Sequence, residues 1–527
     1  MKKLINEVSF SLPCRVFTVS YSVTEKRQLP VVKEFVVRLL YEIDQCNPEI
    51  LANFFGFNSQ EIKIVLEDLI YESLIQWDGD EVRLSSYAKE NFTEVEGNAV
   101  PRFFQITDMT DRVSFDLFLF KFLGNDLRKL GRKFLCIDVP LPDDSYKGVI
   151  DKVKSAFHDQ FMHYQSEVKD IDLFSDDSVE LYKINHVESL FDQLIPLPVS
   201  YYYDGSSQDI VMEYDLPEIA EWDSERQIFN TIDNAIEMAS VNESNQTNNV
   251  MNYVAYVRDP FLVRMIRSEN SDYSTEELKM ITQQVSYTQL LTIYKNEEHK
   301  VFEGNLQTLM IVGNLYTKDN REILEKIIRR AAKNDESKYL PGALWFTNFQ
   351  DKTWGRTDHL TATIEMVNQL FDKEPGNVSL VINTPCYGEN DAYEISSKYK
   401  FSGAKFHSCG NIFDSEQIEL LLIPDLLVAS VFHFKTNDSR ELTIPIGFIT
   451  KNKEIIEKIT KNIRNWSNKP ESKFDERDEF HKSGKSIRET VILPVLNYYE
   501  EDEKAKRQER IERDKNITRK NFPDESD

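Results

Sequence analysis

The order of helix and turn signals in residues 28–92 constrains the fold of this chain more than any other feature of its sequence. In the segment LPVVKEFVVRLLYEID, apolar residues recur at three- and four-residue spacing, which predicts an amphipathic helix entered at Pro30. The predicted apolar face consists of Val32, Phe35, Val36, Leu39, Leu40 and Ile43. A short second helix is indicated by a cap, a first-turn proline and a stop residue. These are Asn47, Pro48 and Gly56.

A third helix and a hairpin complete this segment. Asn58 followed by Glu61 is the capping-box pattern, and it precedes an apolar stripe that contains Ile62, Leu66 and Leu69. Two short strands are then predicted around the Asp-Gly turn of LIQWDGDEVRLSS. Three helices and a hairpin in this order resemble a winged helix-turn-helix domain, and the resemblance covers about an eighth of the chain.

The resemblance implies DNA binding, with the third helix in the major groove and the hairpin along the phosphate backbone. The charges oppose this reading, because residues 28–92 carry 5 cations and 12 acids. Gln60 and Lys63 are the candidate base-reading residues. The whole chain has a net charge of −26, which repels phosphate and favours protein partners. DNA contact through Gln60 and Lys63 and a protein-docking or structural role both remain open.

The rest of the chain predicts further domains, because 527 residues exceed one ordinary core. We expect a multi-domain α+β protein with a winged helix at the N-terminus and an α/β domain in the C-terminal half. The predicted divisions are a strand plus winged helix at 1–97, a mixed α+β region at 98–300, the α/β domain at 301–462, and a linker with a charged tail at 463–527.

The segment FHSCGNIFD, residues 406–414, lies among alternating strand and helix signals, and its histidine precedes an aspartate by seven positions. A strand is expected to end at His407, and the apolar strand after it is expected to end near Ser430. This order resembles one half of a phospholipase D-like domain, whose signature is His-x-Lys-x4-Asp followed by an apolar strand and a Gly-Ser turn. His407 and Asp414 match the signature. Cys409 stands in place of its lysine, and Ala429 with Ser430 stands in place of its turn.

The resemblance implies that His407 attacks a phosphodiester while the lysine stabilises the developing negative charge. A cysteine supplies no such cation, and the loss of one such donor costs about 10² to 10³ in rate. Lys405 is the candidate substitute, because it lies two residues before His407 on the same side of a strand. A complete site needs two such histidines, which leaves a homodimer open, and His433 is discounted because Arg440 occupies its acid position. We therefore predict a degenerate scaffold, with an EDTA-insensitive nuclease as the alternative.

Other parts of the sequence limit the remaining possibilities. Five scattered cysteines without a CxxC pair and no long uninterrupted apolar run predict a cytoplasmic protein that does not enter a membrane. No common nucleotide, zinc or hydrolase motif is present, so we predict neither a cofactor nor a metal. The basic residues of the tail are a second candidate nucleic-acid site, although a solvated helix with internal ion pairs is the simpler interpretation. These candidates are Arg507, Arg510 and Arg513.

The two resemblances together predict a non-catalytic or weakly catalytic subunit of a multi-protein system that handles nucleic acid. A winged helix joined to a phospholipase D-like domain is similar to components of bacterial antiviral defence systems. The expected partners are other protein subunits, with DNA as an open alternative. A phospholipase D-type nuclease and a winged-helix transcription regulator remain the alternative functions.

Overall fold

The computed structural model of the chain describes residues 2–27, 29–95, 98–123, 135–139, 141, 146–168, 179–214, 230–235, 250, 253–254, 257–267, 286–296, 307–333, 339–347, 353–371, 380–385, 399, 405–409, 412, 418–435, 442–468 and 486–521. The chain divides into two compact units. The N-terminal unit comprises Pro13–Lys129 and Leu141–Gln193. The C-terminal unit comprises Met1–Leu12, Leu130–Pro140 and Leu194–Asp527.

The N-terminal unit contains the three helices and the hairpin in the order predicted from the sequence, with an additional short strand, β2, and an additional short helix, α4. The elements are α1 Val31–Ile43, β2 Gln45–Cys46, α2 Pro48–Phe55, α3 Ser59–Tyr71, β3 Ile75–Asp78, β4 Glu81–Leu84 and α4 Ser86–Glu90. The sheet order is β2-β4-β3, with antiparallel pairs throughout. This is the element order of a winged helix, in which β3 and β4 form the wing.

The predicted caps of α2 and α3 are confirmed. The Asn47 side chain accepts from the Glu49 N–H, and Gly56 ends α2 in the left-handed conformation. Asn58 and Glu61 form a reciprocal capping box at the start of α3. These bonds satisfy backbone groups that would otherwise lack partners at the helix ends.

The predicted apolar face of α1 is only partly correct. Val36, Val37 and Leu40 are buried in the core of the winged helix. Three residues of the predicted face, Val32, Phe35 and Ile43, are exposed, although they were expected to be buried. With Val31, which is also exposed, they form the exposed stripe of α1.

A long antiparallel pair forms the rest of the N-terminal unit. Strand β1, Lys2–Arg27, pairs with β7, Phe103–Asp116, from Cys14 opposite Asp116 to Arg27 opposite Phe103. An aromatic cluster attaches two helices to this sheet, and its tyrosines Tyr21 and Tyr164 both donate to Asp111. The remaining elements of this unit are β5 Phe92–Val95, β6 Asn98–Pro101, α5 Val149–Asp159, α6 Phe161–Val168 and the first part of β9 Glu180–Asp204. The end of β9, together with β8 Ile137–Asp138 and β10 Asp209–Tyr214, belongs to the C-terminal unit.

The C-terminal unit is built on a mixed seven-stranded sheet of order β11-β17-β16-β15-β12-β13-β14. Its strands are β11 Thr308–Val312, β12 Ala343–Phe346, β13 Leu380–Pro385, β14 Lys405–Cys409, β15 Ile418–Ile423, β16 Leu427–Lys435 and β17 Thr443–Thr450. The described helices are α7 Pro260–Arg267, α8 Tyr287–Lys295, α9 Lys318–Lys333, α10 Asp358–Asn368, α11 Lys453–Ser467, α12 Leu493–Leu496 and α13 Glu501–Asn521. A short π-helical turn, Arg488–Ile492, precedes α12.

The two faces of this sheet bury different side chains. One face carries Trp345 and Leu421 and packs against α9 and α10. The other face carries Phe346, whose ring meets Trp466 of α11 with centroids 6.0 Å apart. Side chains alternate between the faces along each strand, so neighbouring residues of one strand lie in different cores.

Several predicted boundaries are corrected. The apolar run after residue 417 is a hairpin of β15 and β16, and Ser430 lies inside β16 rather than in a turn. The division at residue 97 does not hold, because β1 pairs with β7 beyond it. The segment after 463 is not a free tail in its described part, since Ile487, Val491 and Leu496 are buried.

None of the helices in the described part of the chain is both long and apolar enough to cross a bilayer.

Candidate functional site

His407 occupies the middle of β14, an edge strand of the large sheet, and not the strand end predicted from the sequence. It lies beside Asn383 in the parallel register with β13, and Asn383 in turn lies beside Phe346 of β12. The side chain of His407 is only 1% exposed. Its imidazole therefore lies in the protein interior and not in an open cleft.

Two of the residues singled out with His407, Lys405 and Cys409, lie on the same strand, two positions before it and two after it. Lys405 is half-buried on the same strand, and Cys409, at the position of the signature lysine, is buried. Asp414 lies outside the described residues. Because Ser430 belongs to the interior of β16, the structure has no counterpart there to the Gly-Ser turn of the signature.

A second histidine, discounted from the sequence, belongs to a buried polar network on the opposite face of the sheet. His433 Nε2 lies 3.2 Å from Glu419 Oε2, and Trp345 Nε1 donates to Glu419 Oε1 at 2.7 Å. His433 Nδ1 lies 3.2 Å from the Thr443 hydroxyl. Glu419 and His433 are fully buried, which makes the network a structural element of the core.

The sequence offered one signal for this network. Glu419 interrupts the most apolar run of the chain, and a charged residue at such a position is rarely buried unless it is paired. The partner could not be inferred, because His433 and Trp345 reach Glu419 from two other strands.

The outward face of the third helix of the winged unit is the second candidate site. This face, defined here as the α3 face, consists of Gln60, Ile64, Glu67, Asp68 and Tyr71. Tyr71 is 91% exposed and Ile64 is 60% exposed. A DNA-reading helix carries polar and basic side chains at these positions. Here the same positions carry two large apolar groups and two carboxylates.

The cations near the α3 face are engaged by its acids. Lys63 lies 3.7 Å from Glu67 one turn along the helix. Lys33 of α1 contacts Asp68 at 2.9 Å and Glu72 at 3.0 Å. The hydrogen bond to Asp68 raises the pKa of Lys33 above its ordinary value. Phosphate would have to compete with these carboxylates.

Further apolar side chains are exposed elsewhere on the winged helix. They include Ile50 and Phe54 on α2 and Trp77 on the wing, in addition to the exposed stripe of α1. Single exposed apolar residues are ordinary, but groups of them mark interaction surfaces.

The tail cations predicted to contact nucleic acid have different environments. Arg507 Nη1 donates to Asp425 Oδ2 at 2.7 Å, and the guanidinium lies over the Tyr498 ring. Asp425 also accepts from the hydroxyls of Tyr498 and Tyr499. Arg507 therefore attaches α13 to the β15–β16 turn. Arg510 and Arg513 are exposed.

Changing Asp425 to asparagine is expected to release α13. Burial opposes the charge of Asp425, but the hydrogen bonds from Arg507, Tyr498 and Tyr499 outweigh it and lower the pKa of the carboxyl. The resulting stabilisation is present above the unfolded pKa of about 3.9 and is lost as pH falls through the lower folded pKa. Asparagine tolerates the left-handed conformation of residue 425, where φ is 59°. Trypsin cleavage in α13 should accelerate at least about tenfold. Glu503→Gln is the control, and equal cleavage of both variants would contradict this role.

Comparison with known proteins adds little to this geometry. No protein-family model matches the chain, and no curated protein matches it. Among solved structures, the chain is similar in part to one described as "Structure of TrmBL2, an archaeal chromatin protein, shows a novel mode of DNA binding". That similarity covers 36% of this chain and 67% of the other at 12% identity, with a TM-score of 0.16. A TM-score of this size supports no conclusion, so the candidate sites are interpreted from their own geometry.

Proposed function

We propose that this chain is a cytoplasmic, non-catalytic docking subunit of a multi-protein system that handles nucleic acid, and that its α3 face binds a protein. The observation that carries the proposal is the composition of that face. Exposed Ile64 and Tyr71 lie beside Glu67 and Asp68, at positions where a DNA-binding helix would carry the side chains that contact bases. Exposed aromatic residues are frequent anchors of protein interfaces, and carboxylates repel phosphate.

The proposal includes the degenerate phospholipase D-like relationship of residues 301–462. Its support is the strand and helix order and the spacing of His407 and Asp414 in the sequence. The burial of His407 favours a scaffold over the alternative nuclease, because a nucleophile must contact the phosphorus it attacks. The setting in bacterial antiviral defence rests on the pairing of the two resemblances.

The alternative of a transcription regulator requires the α3 face to read an operator. The pairing of Lys63 and Lys33 with carboxylates disfavours that alternative. Operator binding would also leave Ile64 and Tyr71 against a polar, negatively charged groove.

Docking is tested by recovering proteins that co-purify with the tagged full chain from its own cells and purifying each candidate. Titration calorimetry then measures its affinity for the wild type and for the double variant Ile64→Lys/Tyr71→Lys. Losing two interface anchors should weaken binding by about 30-fold or more. Ile517→Lys is the matched control, because Ile517 is a similarly exposed apolar residue on α13, at 51%.

The proposal requires unchanged affinity in the control and a large loss in the double variant. It is overturned if no candidate binds after purification, or if the double variant binds as tightly as the wild type.

A further inference from the structure

One helix of the C-terminal unit has a charge opposite to that of the chain as a whole. Helix α9 carries six cations and three acids, in a protein with 63 basic and 89 acidic residues. The last eight residues of the helix, Lys326–Lys333, contain four cations and no acid. These cations are Lys326, Arg329, Arg330 and Lys333, and all four are exposed. Sequence reasoning passed over this segment because it was assigned only as a helix.

The basic end of α9 borders an open groove of about 440 Å³ between α9 and α10. Apolar side chains of Ile328, Met366 and Leu370 line this groove together with the cationic Arg329 and Lys333, and Glu325 is its one acidic lining residue in the described part of the chain. Ligand pockets are commonly of this volume. The α9 groove, as we call it, thus combines an apolar lining with a positive rim.

The α3 face has the complementary composition. Its apolar residues Ile64 and Tyr71 are seven positions apart, which is about 10 Å along a helix. Lys326 and Lys333 are separated by the same seven positions on α9. Glu67 and Asp68 lie between the two apolar residues and are exposed. An acidic helix with apolar anchors matches in charge a groove that lies at the basic end of a helix.

We infer that two copies of this chain associate, with the α3 face of one copy bound in the α9 groove of the other. This inference rests on the proposed function, because it names a partner for the same α3 face. The acids of the first copy meet Arg330 and Lys333 of the second, and Tyr71 enters the apolar part of the groove. A single helix in a groove is a small interface, so the expected dissociation constant is about micromolar.

The lining of the groove favours this occupant over nucleic acid. A duplex site typically neutralises about six to ten phosphates, whereas the end of α9 supplies four cations. One of these, Arg329, is paired with Glu325. Phosphate also gains nothing from the half-buried Met366, whose remaining exposed surface a protein side chain would cover.

Sedimentation equilibrium of the full chain tests the inference by charge exchange. The wild type should show an average mass that rises above 61.7 kDa with concentration. Two variants should each stay at the monomer mass, because like charges then meet in the contact. They are Arg330→Glu/Lys333→Glu, which changes the basic end of α9 at the groove residue Lys333 and its neighbour Arg330, and Glu67→Lys/Asp68→Lys, which changes the α3 face.

The two variants should associate when mixed, because the unchanged α3 face of the first then meets the unchanged groove of the second. The acidic groove of the first also faces the basic helix of the second. Restored association also shows that both variants are folded. Lys461→Glu, at an exposed lysine of α11, is the control and should behave as the wild type.

The inference is overturned if the wild type stays monomeric, or if mixing does not restore association. A monomeric wild type whose groove variant loses binding to a DNA oligonucleotide would instead identify a phosphate site. The proposed function is judged separately. A monomeric wild type contradicts self-association. If the Ile64→Lys/Tyr71→Lys variant then binds another protein more weakly than the wild type does, the proposed docking function is still supported.

Discussion

Replacing Glu419 with alanine is expected to lower the free energy of unfolding of the C-terminal unit by about 3 to 5 kcal/mol. The change removes the hydrogen-bond partner shared by the Trp345 indole and the His433 imidazole. Both groups would remain buried without that partner, and each such group costs about 1 to 3 kcal/mol. The cavity left by the side chain adds to the loss.

Urea unfolding followed by circular dichroism measures this effect, and hydrogen exchange in β15 and β16 localises it. Glu457→Ala is the matched control, because Glu457 pairs with Lys461 near the surface at 3.0 Å. That change should cost less than about 1 kcal/mol. Glu419→Gln should fall between the two, since an amide keeps one acceptor. Equal stability of Glu419→Ala and the control would contradict the structural role of the network.

The winged helix was the most predictable part of the molecule. Its caps and turns depend on local chemistry, and Asn47, Asn58 and Gly56 have the roles their residue types predict. The burial of α1 was less predictable. Its apolar residues cover two neighbouring stripes, and periodicity alone does not tell which stripe contacts α2 and α3. The exposed stripe with Phe35 was therefore assigned to the core.

The sites of the C-terminal unit could not be predicted from local sequence. The spacing of His407 and Asp414 is a local pattern, but burial of His407 is decided by strands that are distant in sequence. The Glu419–His433–Trp345 network has the same origin, since three strands supply its members. The attachment of Arg507 to Asp425 joins residues 82 positions apart. Composition predicted that α13 is highly charged, but it did not predict the contact of its Arg507 with Asp425.

Nucleic-acid binding by the winged helix is expected to be weak. At physiological salt the full chain should bind short DNA and RNA with a dissociation constant above about 10⁻⁵ M. A specific winged-helix site would bind about a thousandfold more tightly, a difference of about 4 kcal/mol. The physical reason is that Glu67, Asp68 and Glu72 surround the cations that would contact phosphate.

Fluorescence anisotropy with labelled duplex DNA, single-stranded DNA and RNA is the most direct test of the central claim that the α3 face docks protein. It should compare the wild type with Gln60→Ala/Lys63→Ala and with Arg510→Ala/Arg513→Ala, at low and physiological salt. The account predicts weak binding that neither double variant changes at physiological salt. Tight, salt-sensitive binding that is lost in Gln60→Ala/Lys63→Ala would contradict it and establish the α3 face as a nucleic-acid reader.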